Sequence, residues 1–215
     1  MRPLLRLALA ALGIAGCRST PGQAGPIAQP PAPREASGVV APVAKPDTGR
    51  RRHTAADAQF MRHMIGHHAQ ALEMTKLVPT RTSRQDMRML AERIDVSQRD
   101  EIGLMRQWLE QRGEELPSPD AHHHAAMGHG QLMPGMLTAA ELERLAKAAG
   151  TEFDRAFLEY MIRHHEGALT MVKDLFGTQG AAQETETYRF ATDVEADQRA
   201  EIARMRALLA KLPPS

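Results

Sequence analysis

One eighteen-residue pattern occurs twice in the chain and constrains the fold more than any other feature. Residues 57–74 read DAQFMRHMIGHHAQALEM, and residues 154–171 read DRAFLEYMIRHHEGALTM. Asp, Phe, Met-Ile, His-His, Ala-Leu and the final Met recur at the same spacing. At about 100° per residue, these positions fall within an arc of roughly 140° on a helical wheel. Each copy is therefore predicted to be a helix with imidazoles and thioethers on its inward face.

A second pattern follows each copy and extends the duplication. Residues 94–105 read IDVSQRDEIGLM, and residues 194–205 read VEADQRAEIARM. Each half is therefore predicted to be a helical hairpin. A lone hairpin cannot bury its apolar stripe, whereas two packed hairpins can. We expect an all-α four-helix bundle with a short crossover helix, formed by one domain at 53–212 with repeats at 54–112 and 151–211.

Capping residues and helix breakers predict the ends of the helices. Thr54 is a candidate N-cap for the first helix, and Pro79 is expected to stop it near Val78. Ser83 and Asp86 resemble a capping box for the second helix, which should reach Gln111. The remaining helices are predicted at 138–150, opened by Thr138 and Glu141, and at 152–176 and 181–211.

The four duplicated histidines need partners if they face the core. Methionines at helical spacing are more often core filler than ligands, but four unpaired buried imidazoles would be costly. The imidazoles must therefore bind carboxylates, one another or a metal ion. Adjacent histidines diverge by about 100° on the wheel, so both need not bind one ion. The polar side chains expected to orient the imidazoles are Asp57, Asp95, Gln98, Asp154, Glu195 and Gln198.

The donor types favour copper, above all Cu(I), because thioethers and imidazoles are soft ligands. Zinc prefers His with Cys or carboxylates, and di-iron bundles use Glu-x-x-His pairs that neither His-His helix carries. The loop at 113–137 adds a further cluster. Its composition fits either a metal-binding tract or a solvated polar loop. The residues concerned are His122, His123, His124, Met127, His129, Met133 and Met136.

The first residues predict export and a lipid anchor. Arg2 and Arg6 precede a short apolar run, and LGIAGC at 12–17 resembles the lipobox of bacterial lipoproteins. We therefore predict a signal peptide at 1–16, lipidation of Cys17, and a disordered Pro/Ala/Gly-rich tether at 17–52. The protein is expected to be secreted across the inner membrane and held at the periplasmic or cell surface. The net charge of +1 gives no indication of nucleic-acid binding.

Taken together, the duplicated segments and Gly135-Met136 resemble the domain-of-unknown-function family 305 over about Ala55 to Leu209. The resemblance implies a ferritin-like four-helix fold, a secreted or lipid-anchored location, and copper binding through Met and His. It does not imply an established enzymatic activity. The residues that match by position are Met64, His67, His68, Met74, Met136, Met161, His164, His165 and Met171.

Three functions are compatible with these features. The first is a copper-binding lipoprotein that stores, buffers or hands over Cu(I), with a copper-handling protein as a possible partner. The second is a ferritin-like oxidase of Cu(I) or Fe(II), and the third is a metal-free structural or interaction module. The sequence alone does not predict the oligomeric state or the number of ions bound.

Overall fold

The computed structural model describes residues 52–118 and 132–213, and this part of the chain contains helices and no strand. Two long helices precede the undescribed gap, with a single-turn helix between them. A short helix and two further long helices follow the gap. The helices are α1 (Ala55–Thr75), α2 (Val78–Arg81), α3 (Gln85–Gln111), α4 (Ala139–Lys147), α5 (Gly150–Gly177) and α6 (Thr185–Leu209).

The four long helices form two hairpins, as the duplication predicts. Helix α1 packs along α3, and α5 packs along α6. The hairpins meet mainly through α1 and α5, the two helices that carry the His-His pairs, while α3 and α6 touch only slightly. Helix α4 lies against α5 and forms the crossover. The predicted four-helix bundle of two hairpins with a short crossover helix is thus confirmed.

The predicted N-cap Thr54 and the predicted opening pair Thr138 and Glu141 both form capping boxes. The Thr54 hydroxyl accepts from the Asp57 backbone N–H, and the Asp57 carboxylate accepts from Thr54 in return. Thr138 and Glu141 make the same exchange at the start of α4. These reciprocal hydrogen bonds satisfy N–H groups that a helix leaves unpaired at its first turn.

Two predicted boundaries were wrong. The box at Ser83 does not form, because α3 begins after Arg84 without a side-chain cap. The Asp86 carboxylate instead binds the Arg84 guanidinium and the Met87 N–H. Pro79 does not end a helix either. It lies in the first turn of α2, where a backbone N–H has no partner within the helix, so proline loses no hydrogen bond there.

The apolar core consists of two clusters at opposite ends of the bundle. The first cluster joins the end of α1 to the start of α5 and includes Met74 and Met161. The second cluster joins the start of α1 to the end of α5 and includes Met64 and Met171. Between them lies a buried polar layer across the four long helices. It consists of His67, His68, Gln98, Glu101, His164, His165, Gln198 and Glu201.

The signal peptide at 1–16, Cys17 and the tether up to residue 51 lie outside the described residues. Within the described ranges, no helix has the length and apolar character needed to span a bilayer.

Candidate metal centre

The centre of the polar layer is a pair of imidazoles, one from each hairpin. The rings of His67 on α1 and His164 on α5 lie with their centroids 3.8 Å apart and their planes inclined by 35°. Both side chains are almost completely buried. Because α1 and α5 form the contact between the hairpins, the duplicated first histidines meet at the pseudo-two-fold axis.

The second histidine of each pair faces its own hairpin partner. His68 Nε2 lies 2.5 Å from Glu101 Oε2 on α3, and His165 Nε2 lies 2.6 Å from Glu201 Oε2 on α6. A carboxylate oxygen accepts, so each Nε2 donates in these pairs. Such carboxylate–imidazole pairs fix the orientation of metal-binding histidines in many proteins.

A backbone segment from Met133 to Leu137, which we call the strap, crosses the seam between α1 and α5. The Pro134 carbonyl accepts a hydrogen bond of 3.0 Å from His67 Nε2. The Gln70 side-chain amide makes two hydrogen bonds, of 3.0 and 2.7 Å, to the Leu137 backbone. On the other helix, the strap lies directly on Gly167, whose position has no room for a Cβ. The strap is therefore attached to both His-His helices.

The strap also fixes the proton of His67. A carbonyl can only accept, so the proton lies on Nε2 and a neutral His67 has its lone pair on Nδ1. Burial, reinforced by the neighbouring His68, lowers the pKa of His67 to about 3. Burial and the neighbouring His67 likewise hold the pKa of His164 well below its usual value. Both central imidazoles are therefore neutral near pH 7, which is the form that binds metal ions.

Each of the four imidazoles retains one buried nitrogen without a hydrogen-bond partner among the described residues. Three of these are the Nδ1 atoms of His67, His68 and His165, and the fourth is His164 Nε2. Buried polar atoms are nearly always paired, so four in one layer need an explanation. A metal ion that accepts the nitrogen lone pairs would provide one.

Thioethers border the layer on both apolar sides. Met64 lies one helical turn before His68, and Met161 lies one turn before His165; both are fully buried. Met74 and Met171, further along the same helices, are also buried, as is Met136 of the strap. The donors available in this region are therefore imidazole nitrogen and thioether sulfur, a set that fits a soft monovalent ion. Within residues 52–118 and 132–213, no three His, Cys, Asp or Glu side chains come close enough together to hold a metal ion by themselves.

Two residues expected to orient the imidazoles point elsewhere. Asp95 binds Arg99 one turn along α3 and accepts from the Thr75 hydroxyl. Glu195 binds Arg199 on α6 in the same way. The carboxylates that contact the imidazoles are Glu101 and Glu201, which belong to the duplicated Gln-Arg-x-Glu-Ile pattern but were not predicted.

Asp57 and Asp154 contact the opposite hairpin and not the imidazoles. Asp57 closes its capping box and also accepts from the Ala182 N–H, 2.6 Å away in the turn of the other hairpin. Asp154 lies 3.9 Å from Arg84 in the opposite turn, and burial raises the pKa of its carboxyl group. Gln98 and Gln198 do lie in the polar layer, each with a buried amide nitrogen that has no partner among the described residues.

The loop candidates His122, His123, His124, Met127 and His129 lie outside the described residues. Met133 and Met136 from the same loop are described and belong to the strap.

The sequence pattern of the Domain of unknown function (DUF305) family matches residues 57–209, which cover the four long helices except the first two residues of α1. The chain belongs to the DUF305 family. A DUF305 fragment from Deinococcus radiodurans is 32% identical, with a TM-score of 0.64 over 74% of this chain and 99% of the fragment. A DUF305 protein from Streptomyces coelicolor is 33% identical, with a TM-score of 0.62 over 73% of this chain and 91% of that protein.

Solved structures of the protein CopM are also similar to this DUF305 chain. The Cu(I)-bound form is 26% identical, with a TM-score of 0.55 over 72% of this chain and 95% of CopM. The Cu(II)-bound form is 30% identical, with a TM-score of 0.57 over 72% of this chain and 95% of CopM. CopM has in addition been solved with silver bound and in its apo form. Comparison with curated proteins gave no match.

Proposed function

We propose that this DUF305 protein binds Cu(I) in its buried polar layer and serves in copper storage, buffering or handover. The observation that carries the proposal is the set of four buried imidazole nitrogens without partners, bordered by buried methionines. The similarity to a protein solved with Cu(I), Cu(II) and silver bound supports the same ion class.

The ligands we assign are the imidazoles together with the nearest thioethers. Neutral imidazole and thioether carry no charge, so a monovalent ion bound by them keeps a net charge of only +1 in an apolar surrounding. The Glu101 and Glu201 carboxylates can balance that charge through His68 and His165 without contacting the ion. Thioether sulfur and imidazole nitrogen are soft donors, and this favours Cu(I) over Cu(II).

We further propose that the domain works outside the cytoplasm, tethered through a lipid on Cys17. The lipobox-like LGIAGC at 12–17 supports this location, and the Streptomyces coelicolor relative is described as a secreted protein. A site without thiols suits an oxidising compartment, because thioethers and imidazoles cannot form disulfides. Metabolic labelling with a fatty acid, compared between the wild type and Cys17→Ala, tests the anchor.

The test of copper binding is a Cu(I) titration against a competing chelator. Replacing His67 and His164 together by Gln removes the central pair of nitrogen donors, and we expect the affinity for Cu(I) to fall at least tenfold. The matched control is His53→Gln, because His53 lies away from the layer and binds Glu114. An unchanged affinity in the double variant, with its fold intact by circular dichroism, would refute the assignment.

A metal-free structural role is the second candidate, and it too has a specific observation in its favour. Two of the four imidazoles already have carboxylate partners, so part of the layer is stable without metal. This role predicts the same melting temperature with and without Ag(I). Copper binding predicts a higher melting temperature, because a ligand that binds only the folded state stabilises it.

An oxidase would use Glu101 and Glu201 as the carboxylates nearest the ion. Oxygen consumption by the Cu(I)-loaded or Fe(II)-loaded protein, compared with the Glu101→Gln variant, tests that activity.

A further inference from the structure

A cavity of about 240 Å³ opens to the surface between the first half of α1 and the second half of α5. Its wall includes His63 from α1, Met133 from the strap and Met171 from α5. Three separate elements thus each contribute one soft donor to a single cavity. Asp174 and the apolar side chain of Phe60 also line the cavity.

The duplication of the chain accounts for Met171, which corresponds to Met74, but not for His63 or Met133. The position equivalent to His63 in the second half is Tyr160, and Met133 lies in the crossover, which has no second copy. His63 and Met133 are also not core residues, since His63 is exposed and Met133 only partly buried. Met133 packs against the edge of the second core cluster, whereas Met171 is buried within that cluster.

The strap holds Met133 in place. The Met133 carbonyl accepts from the Met136 N–H in a turn, and the next residue, Pro134, binds His67. Gly135 adopts a positive φ of 76°, and a Cβ there would lie 2.4 Å from the Arg163 carbonyl. Met133, which lines the cavity, thus belongs to a segment that contacts both His-His helices. Preorganised donors lose less conformational entropy when they bind an ion.

Asp174 adds a negative charge at the wall, which favours a cation over a neutral ligand.

We propose that His63, Met133 and Met171 form a second, solvent-accessible site for Cu(I), distinct from the buried layer. One imidazole and two thioethers give a three-donor soft set suited to Cu(I) and Ag(I). The site rests on the proposed function only for the choice of ion, because none of the four buried histidines belongs to it. Pro134 lies in the wall of this cavity and also accepts from His67, so the site is adjacent to the buried layer. An ion held there is placed to enter or leave the layer.

The experiment is an Ag(I) titration of the full chain, with the methionine methyl groups labelled with ¹³C and followed by NMR. We expect the methyl resonances of Met133 and Met171 to shift together with one ion. In His63→Gln, that joint shift should require at least tenfold more Ag(I). Met89 is the internal control, since it is 60% exposed on α3 and should not shift in the same range.

Different methionine methyl resonances report on the two sites. Met64 and Met161 report on the buried layer, and the His164→Gln variant, which keeps the bond from His67 to the strap, should weaken their shift while leaving that of Met133 and Met171. Failure of the proposed function appears as unresponsive Met64 and Met161 in the wild type. The second site is overturned if Met133 and Met171 do not shift, or if His63→Gln leaves their titration unchanged. Met133→Leu, which keeps the volume and removes the sulfur, must weaken the site as well.

Discussion

The contact between the strap and α5 predicts that Gly167→Ala destabilises the protein, although Ala is normally the better helix residue. A Cβ at position 167 would lie 1.9 Å from the Pro134 carbonyl oxygen and 2.8 Å from the Gly135 Cα. Ordinary contact requires at least 3.4 Å. Both obstacles are backbone atoms, so no side chain can rotate away. The strap itself must move by about 1.5 Å, as judged from ordinary contact distances.

Such a movement breaks the hydrogen bonds that attach the strap to α1. These are the bond from His67 to Pro134 and the two between Gln70 and Leu137. At about 1 kcal/mol each, their loss costs about 3 kcal/mol. The helix propensity of Ala returns up to about 1 kcal/mol. We therefore expect the free energy of unfolding to fall by about 2 kcal/mol.

Urea denaturation followed by circular dichroism measures this change, provided that the m-value stays constant. Gly103→Ala is the matched control, because Gly103 is also helical and a Cβ there meets no atom within 4 Å. That variant should be as stable as the wild type or up to about 1 kcal/mol more stable. If Gly167→Ala proves as stable as Gly103→Ala, the strap does not rest on α5 as described.

Three further predictions concern pH, a buried ion pair and a helix cap. His67 has a pKa near 6.5 in the unfolded chain, and burial lowers the pKa to about 3 in the folded protein. The free energy of unfolding should therefore fall as the pH is lowered between these values, by up to about 1.4 kcal/mol per pH unit. Urea unfolding at pH 7 and pH 5 should show a smaller difference in His67→Gln than in the wild type. Glu184→Ala should cost about 2–4 kcal/mol, because Glu184 accepts from Trp108 Nε1 and pairs with Arg112; fluorescence of the only tryptophan reports the unfolding. Thr138→Ala should cost about 1 kcal/mol by removing the cap of α4, measured by thermal unfolding.

The duplication made the bundle predictable, because periodicity and repetition indicated the same buried face. A period of 3.6 residues placed His67 and His164 inward, and the matching halves implied that the inward faces meet. The position of the strap could not be predicted from the sequence, because it depends on the contact between Gly167 and backbone atoms more than thirty residues earlier in the chain. The gap in the apolar pattern at 113–137 predicted a loop but not where that loop would lie.

The wrong choice of carboxylates had a signal that could have corrected it. Asp95 precedes Arg99 by four residues, and Glu195 precedes Arg199 by the same interval, which is the spacing of a surface ion pair on a helix. Such pairs draw a carboxylate towards solvent. Glu101 lies three residues after Gln98, on the same side of α3, and Glu201 repeats that spacing after Gln198. The carboxylates without an arginine four residues later were therefore the better candidates for His68 and His165.

The position of the polar layer is itself an argument for function. The layer places four imidazoles, two carboxylates and two amides in the middle of the bundle. Leucine or methionine at these positions would provide apolar packing that the polar side chains do not provide. Replacing buried polar networks by apolar side chains of similar volume is often neutral or stabilising, so stability alone does not explain the layer. The duplicated hairpins give it a two-fold pattern, and the strap breaks that pattern by binding only His67. The strap occupies His67 Nε2 and leaves Nδ1 without a partner, whereas the unpartnered nitrogen of His164 is Nε2. Under the proposed copper binding, the two central histidines would present different nitrogens to the ion. A layer retained for packing would not need this difference, whereas an ion held between two helices requires each imidazole to direct one particular nitrogen towards it.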